Sequence, residues 1–177
     1  MAVFNVHERL LPVPPERLAP FIDRLGTPDD GLWPADSGHW PAMVLDRAPA
    51  VGARGGHWVI RYTVTGHAPG QWVRFRFDAP RGLTGFHDFA LHPLPDGTGT
   101  VLRHTMAVRL RGPFVLLWPL AVRWLHDALL EDALDRAERA VTGTVARPNR
   151  WSPYVRLLRS LAARRPRGEG REVPARA

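Results

Sequence analysis

Residues 83–110 read LTGFHDFALHPLPDGTGTVLRHTMAVRL, and this stretch decides the fold. Two alternating apolar runs, Leu83 to Leu94 and Thr98 to Leu110, flank Asp96-Gly97, a two-residue signal for the turn of an antiparallel hairpin. With that turn, residues whose numbers sum to 193 lie opposite one another. His87 then faces Met106, Phe89 faces His104 and Leu91 faces Leu102, all on one mostly apolar face. The other face sets Asp88 opposite Thr105 and Ala90 opposite Arg103, so Asp88 and Arg103 are expected to form a diagonal ion pair. A bulge within Pro95–Gly99 would slide these partners.

Upstream of the hairpin the chain is strand-rich. Ala2 to Leu11 reads as a strand with Phe4, Val6 and Leu10 at even spacing. Prolines 12, 14 and 15 end it, because proline cannot donate to a ladder. Glu16 to Leu25 follows as a short helix with Leu18, Phe21, Ile22 and Leu25 on one face, distorted by Pro20. Gly26 to Pro41 is a loop carrying two Trp-Pro pairs; Trp33 and Trp40 either cap a core edge or form the rim of a pocket mouth. Met43 to Arg47 reads as a short strand and Gly52 to Gly56 as a glycine-rich connection. No helix pattern follows those glycines, which argues against a phosphate loop. His57 to Thr65 alternates with Trp58, Ile60, Tyr62 and Val64 on one side. Gln71 to Phe77 does so with Val73, Phe75 and Phe77. Arg61, Arg74 and Arg76 fall on the solvent side of this one-sided sheet.

Downstream lies a long amphipathic helix, about Pro119 to Val141, with Pro119 expected in its first turn. Val122, Leu125, Leu129, Ala133, Ala137 and Ala140 form its apolar stripe, flanked by Trp118 and Leu130. Arg123, Asp127, Glu131, Asp135 and Arg139 are expected to be solvated on the other side. The expected fold class is therefore α+β, a curved antiparallel sheet wrapped around a long C-terminal helix. Between the two lies a packed core or a pocket.

Composition narrows the possibilities. With no cysteine among 177 residues, disulfides, thiolate nucleophiles and sulfur-ligated zinc are excluded. Residues 1–146 hold 15 Arg against 15 Asp or Glu, whereas residues 147–177 hold 9 Arg against 2 Glu. A folded body without net charge lacks the electrostatic footprint of a nucleic-acid binder. No signal peptide or membrane span is read, so a cytoplasmic location is expected. The body is taken as residues 1–146 and the Arg-rich tail as 147–177, with an amphipathic helix over 153–165. Such a helix suits peripheral contact, through residues 150–167, with an anionic membrane or an acidic partner. It also suits packing against the body. Beyond Pro166 the composition predicts disorder.

Three stretches carry a family resemblance: Leu11-Pro12-Val13-Pro14-Pro15-Glu16-Arg17-Leu18, then Phe89 to Thr100, then the terminal helix. Together, over about residues 2–142, they resemble the helix-grip fold of the START/Bet v 1-like (SRPBCC) superfamily, which includes polyketide cyclase/dehydrase-like members. The resemblance implies binding of an apolar or aromatic small molecule between sheet and helix, with catalysis of cyclisation or dehydration in a minority. No catalytic signature of the family transfers residue by residue, so enzyme status stays open.

The candidate ligand-binding set on this reading is Trp58, Ile60, Tyr62, Phe75, Phe77, Phe89, Leu91, Leu102 and Met106 from the sheet, with Trp118, Val122, Leu125 and Leu129 from the helix. His87 and His104 are the candidate catalytic or anchoring groups: core histidines satisfied locally, hydrogen-bond anchors for a ligand, or general acid/base. No metal and no cofactor is expected. His87 and Asp88 point to opposite faces of a strand, and no H-E-x-x-H helix is present. Serines 37, 152 and 160 lie outside any nucleophile motif.

Overall fold

The computed structural model describes residues 1–163. Seven antiparallel strands form one curved sheet in the order β1-β7-β6-β5-β4-β3-β2. They are β1 Ala2–Leu11, β2 Val44–Leu45, β3 Arg54–His57, β4 Ile60–Ala68, β5 Trp72–Ala79, β6 Leu83–Pro93 and β7 Thr100–Leu110. A 3-10 turn, Pro15–Arg17, and the short helix α1, Ala19–Asp23, follow β1. The long helix begins as α2, Phe114–Leu117, and continues through a wide π-type turn, Trp118–Val122, into α3, Arg123–Thr142. A last helix, α4, spans Pro153–Ala163. This is the helix-grip α+β architecture.

The β6–β7 register is the expected one: His87 pairs with Met106, Phe89 with His104 and Leu91 with Leu102. The connection is longer than the two-residue turn expected: Leu94 N–H donates to the Gly99 carbonyl (2.8 Å) and Gly97 N–H donates to the Leu94 carbonyl (3.0 Å). Gly97 takes φ +71°, while Asp96 does not enter the left-handed region. Leu18, Ile22 and Leu25 around α1 are fully buried.

The strand expected over Ala2–Leu11 is present, and the side turned inward is Val3, Asn5, His7, Arg9 and Leu11, whereas Phe4 is 74% exposed and Val6 and Leu10 are also exposed. Period-two alternation separates two faces but does not say which turns inward. Here the polar face turns toward acidic residues of α3. Several other expectations are overturned. Trp58 sits in the β3–β4 turn at φ +49° and 56% exposed, because His57 pairs with Ile60 and leaves only Trp58-Val59 to turn. Gly55 and Gly56 belong to β3 itself. A Cβ on Gly55 would stand 2.0 Å from the Val44 carbonyl oxygen, so close strand pairing selects glycine. Pro119 lies inside the long helix, where the wide turn accommodates its missing N–H. Ala140 is exposed. Asp88 pairs with Arg74 of β5 (2.8 Å) and Arg103 with Glu8 of β1 (2.9 Å), replacing the expected Asp88–Arg103 pair.

The core is in two parts. The larger cluster joins Tyr62, Phe75, Phe89 and Leu102 of the sheet to Leu129, Ala133 and Leu134 of α3. The smaller comprises Met106, Val108, Leu110 and Trp118. Trp33 and Trp40 are both buried in the larger cluster. The Trp40 indole N–H donates to Asp132 Oδ2 (2.8 Å), and Asp132 also accepts from Trp151 Nε1 (3.0 Å) and Asn149 Nδ2 (2.7 Å). One carboxylate thus ties the 26–41 loop and the segment after α3 to the helix. Val155 of α4 enters the same cluster, and Arg159 stacks on the Trp40 ring (4.6 Å). The residues expected to extend this helix to 165, and the disorder expected past Pro166, lie outside the described residues.

Candidate functional site

The seam between the two apolar clusters is a layer of imidazoles. His87 stacks between Phe75 and Phe77, with ring centroids 4.9 and 5.0 Å away, and meets Tyr62 edge-on. His104 Nε2 lies 3.3 Å from His87 Nδ1, a hydrogen bond in which one ring supplies the proton and the other the lone pair. His104 packs on Phe89 and reaches His126 of α3 at 5.3 Å between centroids. His126 in turn contacts Trp118 and His7. At the opposite end, His57 Nδ1 approaches the Tyr62 hydroxyl (3.3 Å).

Local folding explains the placement. His87 and His104 alternate inward on β6 and β7, and His7 of β1 stands directly opposite His104 in the ladder. His126 is four residues after Val122 and three before Leu129, so it rides on the buried stripe of the helix. That spacing is visible in the sequence and should have placed His126 in the site. His7 gave a weaker signal, since its face of β1 reads as polar.

Two imidazole nitrogens, His87 Nε2 and His104 Nδ1, are buried without a hydrogen-bond partner among the described residues. Burial is the main force on both rings. Aided by neighbouring histidines, it holds their pKa well below the ordinary value, so both are neutral near pH 7. His57 is lowered to about 4, by burial first and then by the charges of His126 and Arg61. At the β1 edge the balance reverses. Burial pulls His7 down, but hydrogen bonds to Asp127 (3.1 Å) and Glu131 (2.8 Å), with their charges, raise it to about 9. Arg9 continues the ladder, bonding Glu131 (3.2 Å), Asp135 (2.9 Å) and Glu138. Asp127, Glu131 and Asp135, expected to be solvated, are with Glu138 the helix half of an inter-element ion-pair network.

The candidate ligand-binding residues divide between the clusters. Tyr62, Phe75, Phe89, Leu91, Leu102 and Leu129 lie in the larger one, with Ile60 and Leu125 packed against it. Met106 and Trp118 lie in the smaller, flanked by Val122, and Phe77 touches both. Trp58 alone is remote from the layer. Two clefts open elsewhere. One, of about 490 Å³, lies on the outer sheet face around Trp72, Arg74, Phe86 and Arg103. The other, of about 520 Å³, lies between Leu10, Leu94, Glu138 and Thr144. Neither reaches His87 or His104. The space between sheet and helix, expected to be a packed core or a pocket, is lined from the sheet by aromatic side chains, Tyr62, Phe75 and Phe89 among them.

No family model matches this chain, and no curated protein sequence matches it. Solved structures do resemble it. Norcoclaurine synthase of Thalictrum flavum, a point mutant in complex with a transition-state analogue, is 12% identical, with 81% of this chain and 96% of that one covered at a TM-score of 0.58. The protein Ara h 8.0201 is 13% identical over 81% of this chain and 100% of its own, at 0.55. CalU16 from Micromonospora echinospora is 14% identical over 90% and 83%, at 0.52. The common feature is the fold, that of the START/Bet v 1-like proteins.

Proposed function

We propose that this chain binds an apolar or aromatic small molecule bearing one hydrogen-bonding group, seated at the imidazole layer between the sheet and the long helix. The observation that carries the reading is the pair of unpartnered nitrogens, His87 Nε2 and His104 Nδ1, set among Tyr62, Phe75, Phe77 and Phe89. An unsatisfied polar atom in an apolar interior costs about 1–3 kcal/mol, a cost that a ligand hydroxyl or carbonyl would relieve. Trp118 and Val122 of the wide turn line the seam from the helix side. Norcoclaurine synthase, solved with a transition-state analogue, is an example of a small molecule held on this fold. Native mass spectrometry of gently purified full-length chain is expected to retain a small-molecule adduct. The adduct should vanish in the double variant His87→Leu/His104→Leu, with the circular dichroism spectrum unchanged. An adduct-free protein that also fails to enhance the fluorescence of anilinonaphthalene sulfonate would overturn the reading.

Two other readings have specific support. The neutral, buried imidazoles suit general acid/base work of the cyclase, aromatase or dehydratase kind. On that reading His104→Ala retains a bound substrate-like molecule and loses turnover. For membrane or partner contact the support is the outer face of α4, where Tyr154, Leu157 and Leu161 are exposed next to exposed Leu120 and Trp124. Sedimentation with anionic vesicles that is unaffected by Leu157→Asp/Leu161→Asp would eliminate it. No described helix is long and apolar enough to cross a membrane.

A further inference from the structure

We propose that His7, His126 and Asp127 form a binding site for a divalent transition-metal ion of the zinc class. One ligand atom from each of the three lies within 4.8 Å of the others. The spacing is closer to a coordination shell than that limit requires. His7 Nε2 stands 3.1 Å from Asp127 Oδ1, and His126 Nδ1 stands 3.5 Å from the same oxygen. A tetrahedral zinc ion with ligands at about 2.0–2.1 Å sets neighbouring ligand atoms about 3.3–3.4 Å apart, and both separations bracket that edge.

Two further observations point to a ligand. His126 Nδ1 is buried and stands 3.5 Å from Asp127 Oδ1, longer than a well-formed hydrogen bond. His7 presents its other nitrogen, Nδ1, to Glu131 Oε1 at 2.8 Å. That carboxylate–imidazole arrangement fixes the tautomer of a metal-ligating histidine and raises its basicity. Asn5 Nδ2 holds the Asp127 oxygen from a third direction (3.1 Å), and Arg123 Nε neighbours the other carboxylate oxygen (3.5 Å). Two imidazoles with one carboxylate suit zinc and its neighbours rather than calcium or magnesium, which prefer all-oxygen shells. Three protein ligands leave the fourth position to water or to a polar group of a guest. The site stands independently of the small-molecule reading.

The test is calorimetric titration of Zn²⁺ into the full chain after chelator treatment and dialysis. One site per chain is expected, with Co²⁺ giving the visible bands of a tetrahedral complex. His126→Ala, checked for folding by circular dichroism, should weaken binding on the order of a hundredfold, and Glu131→Gln about 10–100-fold. His92→Ala, on an exposed histidine, should leave binding unchanged. If the chain binds no Zn²⁺, or binds it equally well as His126→Ala, the cluster is an ion-pair network alone and the proposal fails. Asp127→Asn is a second arm, since undiminished affinity in a folded Asp127→Asn protein overturns the site in the same way.

Discussion

The β1 edge and the β6–β7 centre both press polar side chains against α3, and they settle the cost of burial in opposite ways. At the edge, Arg9 meets three carboxylates and His7 meets two, so each buried charge has a counter-charge. At the centre, His87 and His104 have only each other, remain neutral and keep one bare nitrogen apiece. The edge has its charges paired and holds helix to sheet. The centre is left open to a hydrogen-bonding guest. Charge alone would have pointed away from the seat proposed for an apolar small molecule. Unsatisfied hydrogen-bonding capacity points to the layer beneath the helix.

The largest effect should come from breaking the edge. Arg9→Ala leaves Asp135 and Glu138 on one helix face without their cation, and Glu131 with His7 alone. Removing one partner of a buried network costs about 3–5 kcal/mol, and the lower end applies here because Glu131 is partly exposed. Urea unfolding should show a midpoint shift at constant slope. A loss under about 1 kcal/mol would mean that solvent screens the ladder and that packing alone docks the helix.

Next is the centre, where single and double variants should part company. His87→Leu strands the facing His104 nitrogen and is expected to cost about 1–3 kcal/mol. Replacing both rings, His87→Leu/His104→Leu, removes donor and acceptor together and should be near neutral or stabilising. A positive coupling of that kind in a double-mutant cycle would confirm that the pair is held at the expense of stability. Additive losses would make the rings ordinary packing.

Acidity should separate the two regions by sign. His57 titrates near 4 in the folded chain and His87 well below its ordinary 6.5, so between those values the unfolded chain binds more protons. The stability present above pH 6.5 is therefore lost as pH falls from 6.5 toward 4, by at most about 1.4 kcal/mol per pH unit for each ring. His7, raised to about 9, contributes below pH 6.5 and loses that contribution as pH rises through 9. Melting temperatures in metal-free buffer should fall on both sides of a plateau. The double leucine variant should make the acid limb shallower, with His57 still titrating, and leave the alkaline limb unchanged.

What could be read from the residues follows the same division. The β6–β7 hairpin was legible because two alternating apolar runs flank a short loop centred on Asp96-Gly97. That centre gave the register that places His87 and His104 on one buried face, although the loop is longer than two residues. The edge was not legible. Asn5, His7 and Arg9 look like a solvent face until their acidic partners appear, and those partners are more than a hundred residues away in sequence. Trp58 read as a strand residue because alternation continues through a tight turn, and only the pairing of His57 with Ile60 breaks it.

The smallest predicted effect uses the opposite side of the same edge strand. Glu8 adjoins Arg9 but points outward, where its carboxylate meets Arg103 Nε at 2.9 Å in the open. Both partners are substantially solvated, so water and salt recover most of what the pair supplies, and exposed pairs are worth about 0.2–1 kcal/mol. Glu8→Ala should shift the urea midpoint within that range, and the shift should disappear in high salt. Arg9→Ala should keep most of its cost in the same salt, since its partners are enclosed by the helix. If the two neighbours respond alike, the inner face of β1 is no drier than the outer one, and the distinction between a paired edge and an unsatisfied centre loses its basis.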